Sequence, residues 1–275
     1  MDKYINLVCK VGSTALLDKE KTNLDDWVFE NLARHLNPND ILVTSGAVEL
    51  GIIAVRNNQD DLSRYTNSRL AGIGQHLLMS KYQEKLTGLK RGLLATQILV
   101  EHNHFNDKAK SESLKEFFLD GTELKQLSIV NYNDTVDDKE IRKFEIERFK
   151  AQNGYAVEGV DNDETAVSIA KLVKAKKLLL LTELDGVFKD IHDKDTLIRE
   201  ISGKTAAETI TKIKECKIYC YGASRKGANG AGAKLDHAAQ AIKNGMKEVF
   251  IASSHSDIAD VLAGKAQSTR ITVEK

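Results

Sequence analysis

Apolar runs and amphipathic stretches alternate along the chain. Short runs rich in aliphatic and β-branched residues predict strands: YINLVCKV, DILVTS, GLLATQILV, QLSIVN, KKLLLLT and EVFIAS. Stretches with helical spacing predict helices: NLDDWVFENLARHL with Asn23 as its N-cap, GAVELGIIAV, RLAGIGQHLLMSKYQEKL, DNDETAVSIAKLVKA, the segment after Lys234, and DIADVLAG. The alternation predicts β-α-β crossovers and therefore an α/β three-layer sandwich, in which helices cover both faces of a mostly parallel central sheet.

One segment interrupts this alternation. From Asp137 to Gly159 the sequence DDKEIRKFEIERFKAQNGYAVEG is rich in charge and lies between two strong elements. It predicts either a solvated helix or hairpin, or a lid over a binding site. The sequence leaves both interpretations open.

Composition narrows the class of protein. The 275 residues are 41% hydrophobic and 29% charged, which is an ordinary globular balance and allows one large domain or two small ones. The formal net charge of zero disfavours nucleic acid as a partner, because such binding depends on neutralising phosphates. The N-terminus lacks the layout of a signal peptide, and the longest apolar run, Leu178 to Leu181, is far too short to span a membrane. We therefore expect a soluble, cytoplasmic protein without a membrane partner.

Three cysteines and two closely spaced histidines are the residues of this chain that most resemble metal ligands. Cys9, Cys216 and Cys220 suit a reducing compartment, and no His or Cys cluster completes a zinc set around the latter two. His102 and His104 in EHNHF are either metal ligands or a solvated loop pair, and the pattern favours the loop pair.

Polar residues follow the predicted strands at the edge where α/β sheets bind ligands. They occur in KVGST, TSGAVELG, NYNDTV, VDNDE and LLTELDG. Each group is also what a turn or an N-cap requires. Together they supply two lysines near glycines, a carboxylate pair at Asp161 and Asp163, and hydroxyl-rich helix starts. Phosphoryl transfer requires this kind of set, because it depends on positioning and charge neutralisation.

The glycine-rich stretch GANGAGAKLDHAA, from Gly227 to Ala239, is either an anion cradle or a flexible connection. It is not a P-loop, because Ala233 separates Gly232 from Lys234 and no Ser or Thr follows the lysine. Glycines, the start of a helix and a lysine are nevertheless the components of an anion site.

In their order along nearly the whole chain, seven segments resemble the amino acid kinase family, and within it the branch that phosphorylates glutamate. They are KVGST, VTSGAVELG, AGIGQ, IVNYNDTV, VDNDETAVSIA, LLLLTELDGVF and GANGAGAKLDHAAQA. The resemblance implies the amino acid kinase fold and a single kinase domain over residues 1–275. Within it the acceptor would bind to the part before residue 165 or so, and the nucleotide to the rest. It also implies a homo-oligomer, either a dimer or a tetramer.

The resemblance further implies an activity and a set of site residues. The activity is ATP-dependent phosphorylation of the γ-carboxylate of L-glutamate to γ-glutamyl phosphate, the first step of proline synthesis. ATP would carry Mg²⁺, and no metal would be bound by the protein alone. By similarity, Lys10 and Lys234 bridge the transferring phosphoryl group and Asp163 holds both lysines. The implied acceptor residues are Thr44, Ser45, Gly46, Asn131, Asp134, Asp161 and Asn162. The implied nucleotide residues are Lys10, Gly12, Ser13, Thr182, Glu183, Gly227, Gly230 and Lys234.

The chemistry of a carboxylate acceptor agrees with this residue set. A side-chain carboxylate, with a pKa of about 4.3, is ionised near neutral pH and needs no general base. The difficulty is bringing it up to an anionic phosphate, which the two lysines and the magnesium would offset.

The sequence departs from the family pattern mainly around the acceptor and the phosphates. Tyr132 stands in NYND where the family has an acid, Val160 stands where it has a glycine, and the loop before Lys234 lacks the threonine hydroxyls. The segment before Asp161 is longer, and the chain ends soon after the kinase domain, without the small RNA-binding-like (PUA) domain that many glutamate kinases carry. Two alternatives therefore stay open: another small carboxylate or phosphonate as acceptor, or a non-catalytic nucleotide-binding regulator. A nicotinamide-dependent dehydrogenase is disfavoured, since no G-x-G-x-x-G follows the first strand.

Overall fold

The computed structural model describes residues 3–136, 139–158, 161–220 and 230–274. Its strands are β1 (Leu7–Val11), β2 (Asp40–Val43), β3 (Leu94–Val100), β4 (Gln126–Tyr132), β5 (Lys177–Thr182), β6 (Glu200–Gly203), β7 (Glu248–Ser253) and β8 (Ser268–Val273). Its α-helices are α1 (Asp26–His35), α2 (Ala47–Asn57), α3 (Asn67–Gly88), α4 (Asn103–Asn106), α5 (Lys108–Gly121), α6 (Lys139–Asn153), α7 (Asn162–Leu172), α8 (Ala206–Cys216), α9 (Ala231–Lys243) and α10 (Ile258–Leu262).

All eight of these strands form one sheet, in the order β3-β4-β2-β1-β5-β7-β8-β6. Neighbouring strands are parallel except for β7 and β8, which pair antiparallel. This confirms the predicted α/β fold with a mostly parallel central sheet. β1 lies between β2 and β5, so the sheet continues without a break from the N-terminal to the C-terminal part of the chain.

Alternate residues of the central strands enter two separate hydrophobic cores. Val8 and Leu180 belong to the core beneath α5, α7, α8 and α9, whereas Cys9 and Leu179 belong to the core beneath α1 and α3. Because both faces are covered, all five residues of β1 are buried. This double burial explains why β5 contains the continuous apolar run from Leu178 to Leu181 and why β1 is apolar except for Lys10.

Two details of the predicted helices were wrong. The N-cap of α1 is Asp25 rather than Asn23, since the Asp25 carboxylate accepts hydrogen bonds from the amides of Trp27 and Val28. The helix expected after Lys234 begins earlier, at Ala231, so Lys234 lies in its first turns.

Helices α2 and α3 cross with their backbones in contact. A Cβ atom on Gly74 would lie 1.8 Å from the carbonyl oxygen of Ala47, and one on Gly51 would lie 2.0 Å from that of Leu70. Only glycine fits at either position. The close crossing places the AGIGQ segment of α3 directly against the start of α2. None of the described helices is both long enough and apolar enough to cross a bilayer.

Candidate active site

Two lysines and one aspartate meet in the interior at the carboxyl edge of the sheet. Lys10 comes from the end of β1, Asp163 from the first turn of α7 and Lys234 from the first turns of α9. Lys10 Nζ lies 2.9 Å from Asp163 Oδ1, and Lys234 Nζ donates to Asp163 Oδ2. Asp163 is fully buried, and the two lysines are 4% and 6% exposed. The three residues predicted to act together are therefore brought together.

The lysine and aspartate charges of this trio stabilise one another. Burial favours the neutral form of Asp163, but the charges of Lys10 and Lys234 and their hydrogen bonds outweigh it, so the pKa of Asp163 is lowered. Burial lowers the pKa of Lys10; the nearby Lys234 charge acts in the same direction and Asp163 opposes both. The trio carries two ammonium groups and one carboxylate, so its net charge is positive. A net positive, buried group of this kind can stabilise an anion bound next to it.

A chain of side-chain hydrogen bonds connects the ends of β2 and β4 with the start of α7. Asn162 Nδ2 donates to Asn131 Oδ1 at 2.9 Å and to Ser45 Oγ at 3.1 Å. Asn131 Nδ2 donates to Gln75 Oε1 at 2.8 Å. The backbone N–H of Tyr132 donates to both Asn131 Oδ1 and Asn162 Oδ1. Three of the predicted acceptor residues, Ser45, Asn131 and Asn162, thus form one connected group.

The remaining predicted acceptor residues differ in their access to a ligand. The Thr44 hydroxyl is buried and lies 2.7 Å from the hydroxyl of Tyr82. Gly46 starts α2 with φ +103°, a left-handed conformation that favours glycine. Asp161 is the N-cap of α7 and accepts from the Glu164 amide, yet 35% of its side chain is exposed. Asp134 follows β4 in a turn and is partly exposed.

The predicted nucleotide residues lie at the ends of β1 and β5 and at the start of α9. Gly12 lies beside the trio, since a Cβ there would be 3.6 Å from Lys10 Nζ, and Ser13 starts the following 3-10 turn. The Thr182 carbonyl accepts a hydrogen bond from the Ser254 amide. Glu183 is exposed, and its Oε1 lies 3.5 Å from Lys21 Nζ. Gly230 is the N-cap of α9. Gly227 and the two residues after it lie outside the described part of the chain, whereas the rest of the glycine-rich stretch, from Gly230 onward, is described.

The expectation of a solvated histidine pair was wrong. His102 is 4% exposed, and its Nε2 lies 2.9 Å from Glu145 Oε2 on α6. His104 is half-buried, and its Nδ1 accepts from the Glu101 amide at 3.0 Å. The cysteines at 9, 216 and 220 are free thiols.

Much of the charged segment from Asp137 to Gly159 folds as helix α6, so it is neither a hairpin nor fully solvated. Ile146 and Phe149 on this helix are buried, although most of its other described side chains are exposed. The Arg142 guanidinium lies 6.0 Å from the centre of the Tyr132 ring, at the end of β4. The helix therefore packs beside the acceptor group. Whether it moves as a lid stays a prediction, and residues 137–138 and 159 lie outside the described part.

Three possible metal-ligating side chains lie close together at the trio. Oxygens of Asp161 and Asp163 and a ring nitrogen of His237 lie within 4.8 Å of one another. Asp163 already holds two ammonium groups, whose charge opposes a divalent cation at the same carboxylate. The residues present therefore fit a magnesium ion that arrives on ATP phosphates better than one held by the protein alone.

Sequence patterns missed three residues that join this site. Gln75 and Tyr82 lie on α3 and contact Asn131 and Thr44, respectively, and His237 on α9 faces Asp161. Gln75 stands in AGIGQ, one of the seven segments that carry the family resemblance, but no sequence pattern indicated its hydrogen bond with Asn131. His237 follows Lys234 by three residues, and this spacing was the available signal that both lie on one helix face.

Comparison with known proteins identifies the family of this chain. The model of the amino acid kinase family matches residues 6–253, so the chain belongs to the amino acid kinase family. Glutamate 5-kinase of Streptococcus suis is 27% identical over 97% of this chain and 69% of its own length. Glutamate 5-kinase of Leifsonia xyli subsp. xyli is 29% identical over 96% of this chain and 89% of its own length. Carbamate kinase of Giardia lamblia bound to AMP-PNP shares the fold, with a TM-score of 0.62 and 13% identity over 99% of each chain.

Proposed function

We propose that this chain transfers the γ-phosphoryl group of ATP to the γ-carboxylate of L-glutamate and forms γ-glutamyl phosphate, the first step of proline synthesis. The observation that carries the proposal is the buried Lys10–Asp163–Lys234 trio beside the acceptor group of Ser45, Asn131 and Asn162. The similarity to glutamate 5-kinases along almost the whole chain supports the choice of acceptor.

In the proposed reaction the two lysines offset the repulsion between two anions. The acceptor carboxylate is ionised near neutral pH, so it attacks the γ-phosphorus without a general base, and ADP leaves with the electrons of the broken P–O bond. Lys10 and Lys234 neutralise charge on the phosphoryl oxygens. Asp163 fixes both ammonium groups before the substrates arrive, and this preorganisation is what makes such charges effective in catalysis. Magnesium on the ATP phosphates supplies further charge neutralisation.

The acceptor and the nucleotide are proposed to approach the trio from opposite sides of β1. On the β2 and β4 side, Thr44, Ser45, Gly46, Asn131, Asp134, Asp161 and Asn162 would form the acceptor site. On the β5 side, Gly12, Ser13, Thr182, Glu183, Gly227 and Gly230 would contact the nucleotide. The first amides of α9 have no partner within the helix, and such amides favour phosphate.

One observation favours a second acceptor class. Tyr132 stands between Asn131 and Asn133 with the Arg142 guanidinium over its ring, so an additional cation lies close to the acceptor group. These altered surroundings of the acceptor group favour another small carboxylate or phosphonate as the acceptor.

Trapping the product separates these proposals. The protein is incubated with Mg·ATP and a panel of carboxylates and phosphonates, and hydroxylamine converts any acyl phosphate to a hydroxamate. Glutamate-dependent hydroxamate is the expected result. ADP formation with a different panel member alone would favour the second class, and ATP binding without transfer to any acceptor would favour a non-catalytic regulator.

A further inference from the structure

Two pairs, each of one basic and one acidic side chain, lie side by side between α7 and α9. Lys234 on α9 contacts Asp163 on α7, and three residues further along α9 His237 Nε2 lies 3.9 Å from Asp161 Oδ2. Residues three apart share a helix face, so Lys234 and His237 both point towards α7. The second pair therefore extends the catalytic trio by one more basic group.

The two pairs differ in their access to solvent. Asp163 is fully buried, whereas the side chains of His237 and Asp161 are 20% and 35% exposed. The 3.9 Å separation between His237 Nε2 and Asp161 Oδ2 is beyond hydrogen-bond distance, so the imidazole acts on Asp161 through charge only when it is protonated. Water and a substrate group can reach this outer pair.

The carboxylates of Asp163 and Asp236 already pair with lysines, so Asp161 is the carboxylate on which the His237 imidazole acts. Asp163 also lies near the imidazole, but Lys10 and Lys234 already offset its charge. Asp236, its neighbour on α9, pairs with Lys217 at 2.6 Å.

We infer that His237 is a positioning residue that competes for the Asp161 carboxylate and thereby sets the affinity of this carboxylate for the ammonium group of an amino acid acceptor. The inference rests on the proposed function. Imidazole is the side chain whose charge normally changes between about pH 5 and about pH 8. When protonated, His237 pairs with Asp161 and weakens its attraction for the acceptor ammonium. When neutral, it leaves that carboxylate available.

The test is the pH dependence of the Michaelis constant for L-glutamate, measured at about pH 6 and about pH 8, where the charges of free glutamate do not change. For the unmodified protein we expect KM to be about 3-fold higher at the lower pH, in line with a partly exposed ion pair. His237→Gln removes the charge and should keep KM low at both values. His237→Lys keeps a charge and should keep KM high at both. In each variant kcat should change less than KM.

Two controls isolate the effect. His192→Gln removes an exposed histidine elsewhere and should retain the pH dependence of KM. Glutarate matches glutamate but lacks the ammonium group, so its KM should not follow the charge of His237. The same pH dependence of the glutamate KM in His237→Gln as in the unmodified protein would overturn the inference while leaving the proposed function intact.

The proposed function can also fail independently. If glutamate yields no acyl phosphate, the thermal shift that glutamate and glutarate produce is measured at both pH values in the same variants. Two results together would support the inference. Glutamate, but not glutarate, raises the Tm, and this rise is smaller at the lower pH in the unmodified protein but not in the His237 variants. Equal shifts by both compounds, or by neither, would overturn it.

Discussion

The side-chain amide of Asn131 donates to Gln75 Oε1 at 2.8 Å, and this bond connects the end of β4 to the middle of α3. Gln75 is buried, and its own amide nitrogen has no hydrogen-bond partner among the described residues. Asn131 in turn accepts from Asn162. Gln75 therefore fixes the orientation of the side chain at the centre of the proposed acceptor group.

Replacing Gln75 with alanine should weaken acceptor binding more than catalysis. The change leaves the buried Asn131 amide without its partner, which typically costs about 1–3 kcal/mol. We expect KM for the acceptor to rise about 10-fold and urea unfolding to occur at lower concentration, while KM for ATP stays near its original value. Equal increases in both Michaelis constants would contradict a role confined to the acceptor side.

Replacing Lys234 with alanine should remove phosphoryl transfer while preserving the fold. Asp163 remains paired with Lys10 in this variant, so the buried carboxylate keeps a counter-charge. Loss of one preorganised charge typically lowers kcat by a factor of about 10² to 10³. The readout is hydroxamate formation alongside circular dichroism. Lys243→Ala, at the exposed end of the same helix, is the matched control and should retain activity. Near-full activity of Lys234→Ala would refute the proposed mechanism.

The lowered pKa of Lys10 predicts an early alkaline limit to activity. The charged ammonium is the active form, so activity is present below the pKa of Lys10 and is lost as the pH rises through it. Because burial lowers that pKa below the ordinary lysine value of about 10.4, kcat/KM should begin to fall at a lower pH than an exposed lysine would give. In Lys10→Arg the guanidinium stays charged, so the remaining activity should extend to higher pH. An unchanged alkaline limit in this variant would assign the titration to another group.

Replacing Gly74 with alanine should separate α2 from α3. The added methyl carbon would lie 1.8 Å from the Ala47 carbonyl oxygen, so one helix must move. Overpacking of this kind costs about 1–3 kcal/mol or more and would also displace the start of α2. We expect a clearly lower Tm and reduced acceptor affinity. Gly88→Ala on the same helix is the control, because its methyl group would meet nothing within 4 Å. Similar thermal stability of both variants would contradict the close helix crossing.

The sequence was sufficient for the fold and for the central trio of the candidate site. Strands buried on both faces are largely apolar runs, as in β5 and, except for Lys10, in β1. The carboxyl edge of a parallel sheet gathers the residues that follow such strands. Lys10 and Asp163 are remote in sequence, yet this rule and the family resemblance together predicted their meeting.

The elements and contacts that were missed depend on tertiary packing. β6 has four residues at the edge of the sheet, where pairing with β8 rather than its own apolar content defines the strand. Similarly, helical spacing identified α3 but not the partners of Gln75 and Tyr82 across the interface. For residues 137–159 the charged sequence left a solvated helix or hairpin and a lid open, and it did not indicate that Glu145 Oε2 on α6 lies 2.9 Å from Nε2 of the buried His102.

The central position of β1 has a consequence for how the protein can change. Its two neighbours, β2 and β5, belong to the proposed acceptor and nucleotide sides, respectively, while Lys10 lies on β1 itself. Under the proposed function, mutations around β2 and β4 alter which molecule is accepted without disturbing the charges that transfer the phosphoryl group. New acceptor specificities can therefore evolve by substitutions on the β2 and β4 side alone, while the residues that transfer the phosphoryl group stay the same.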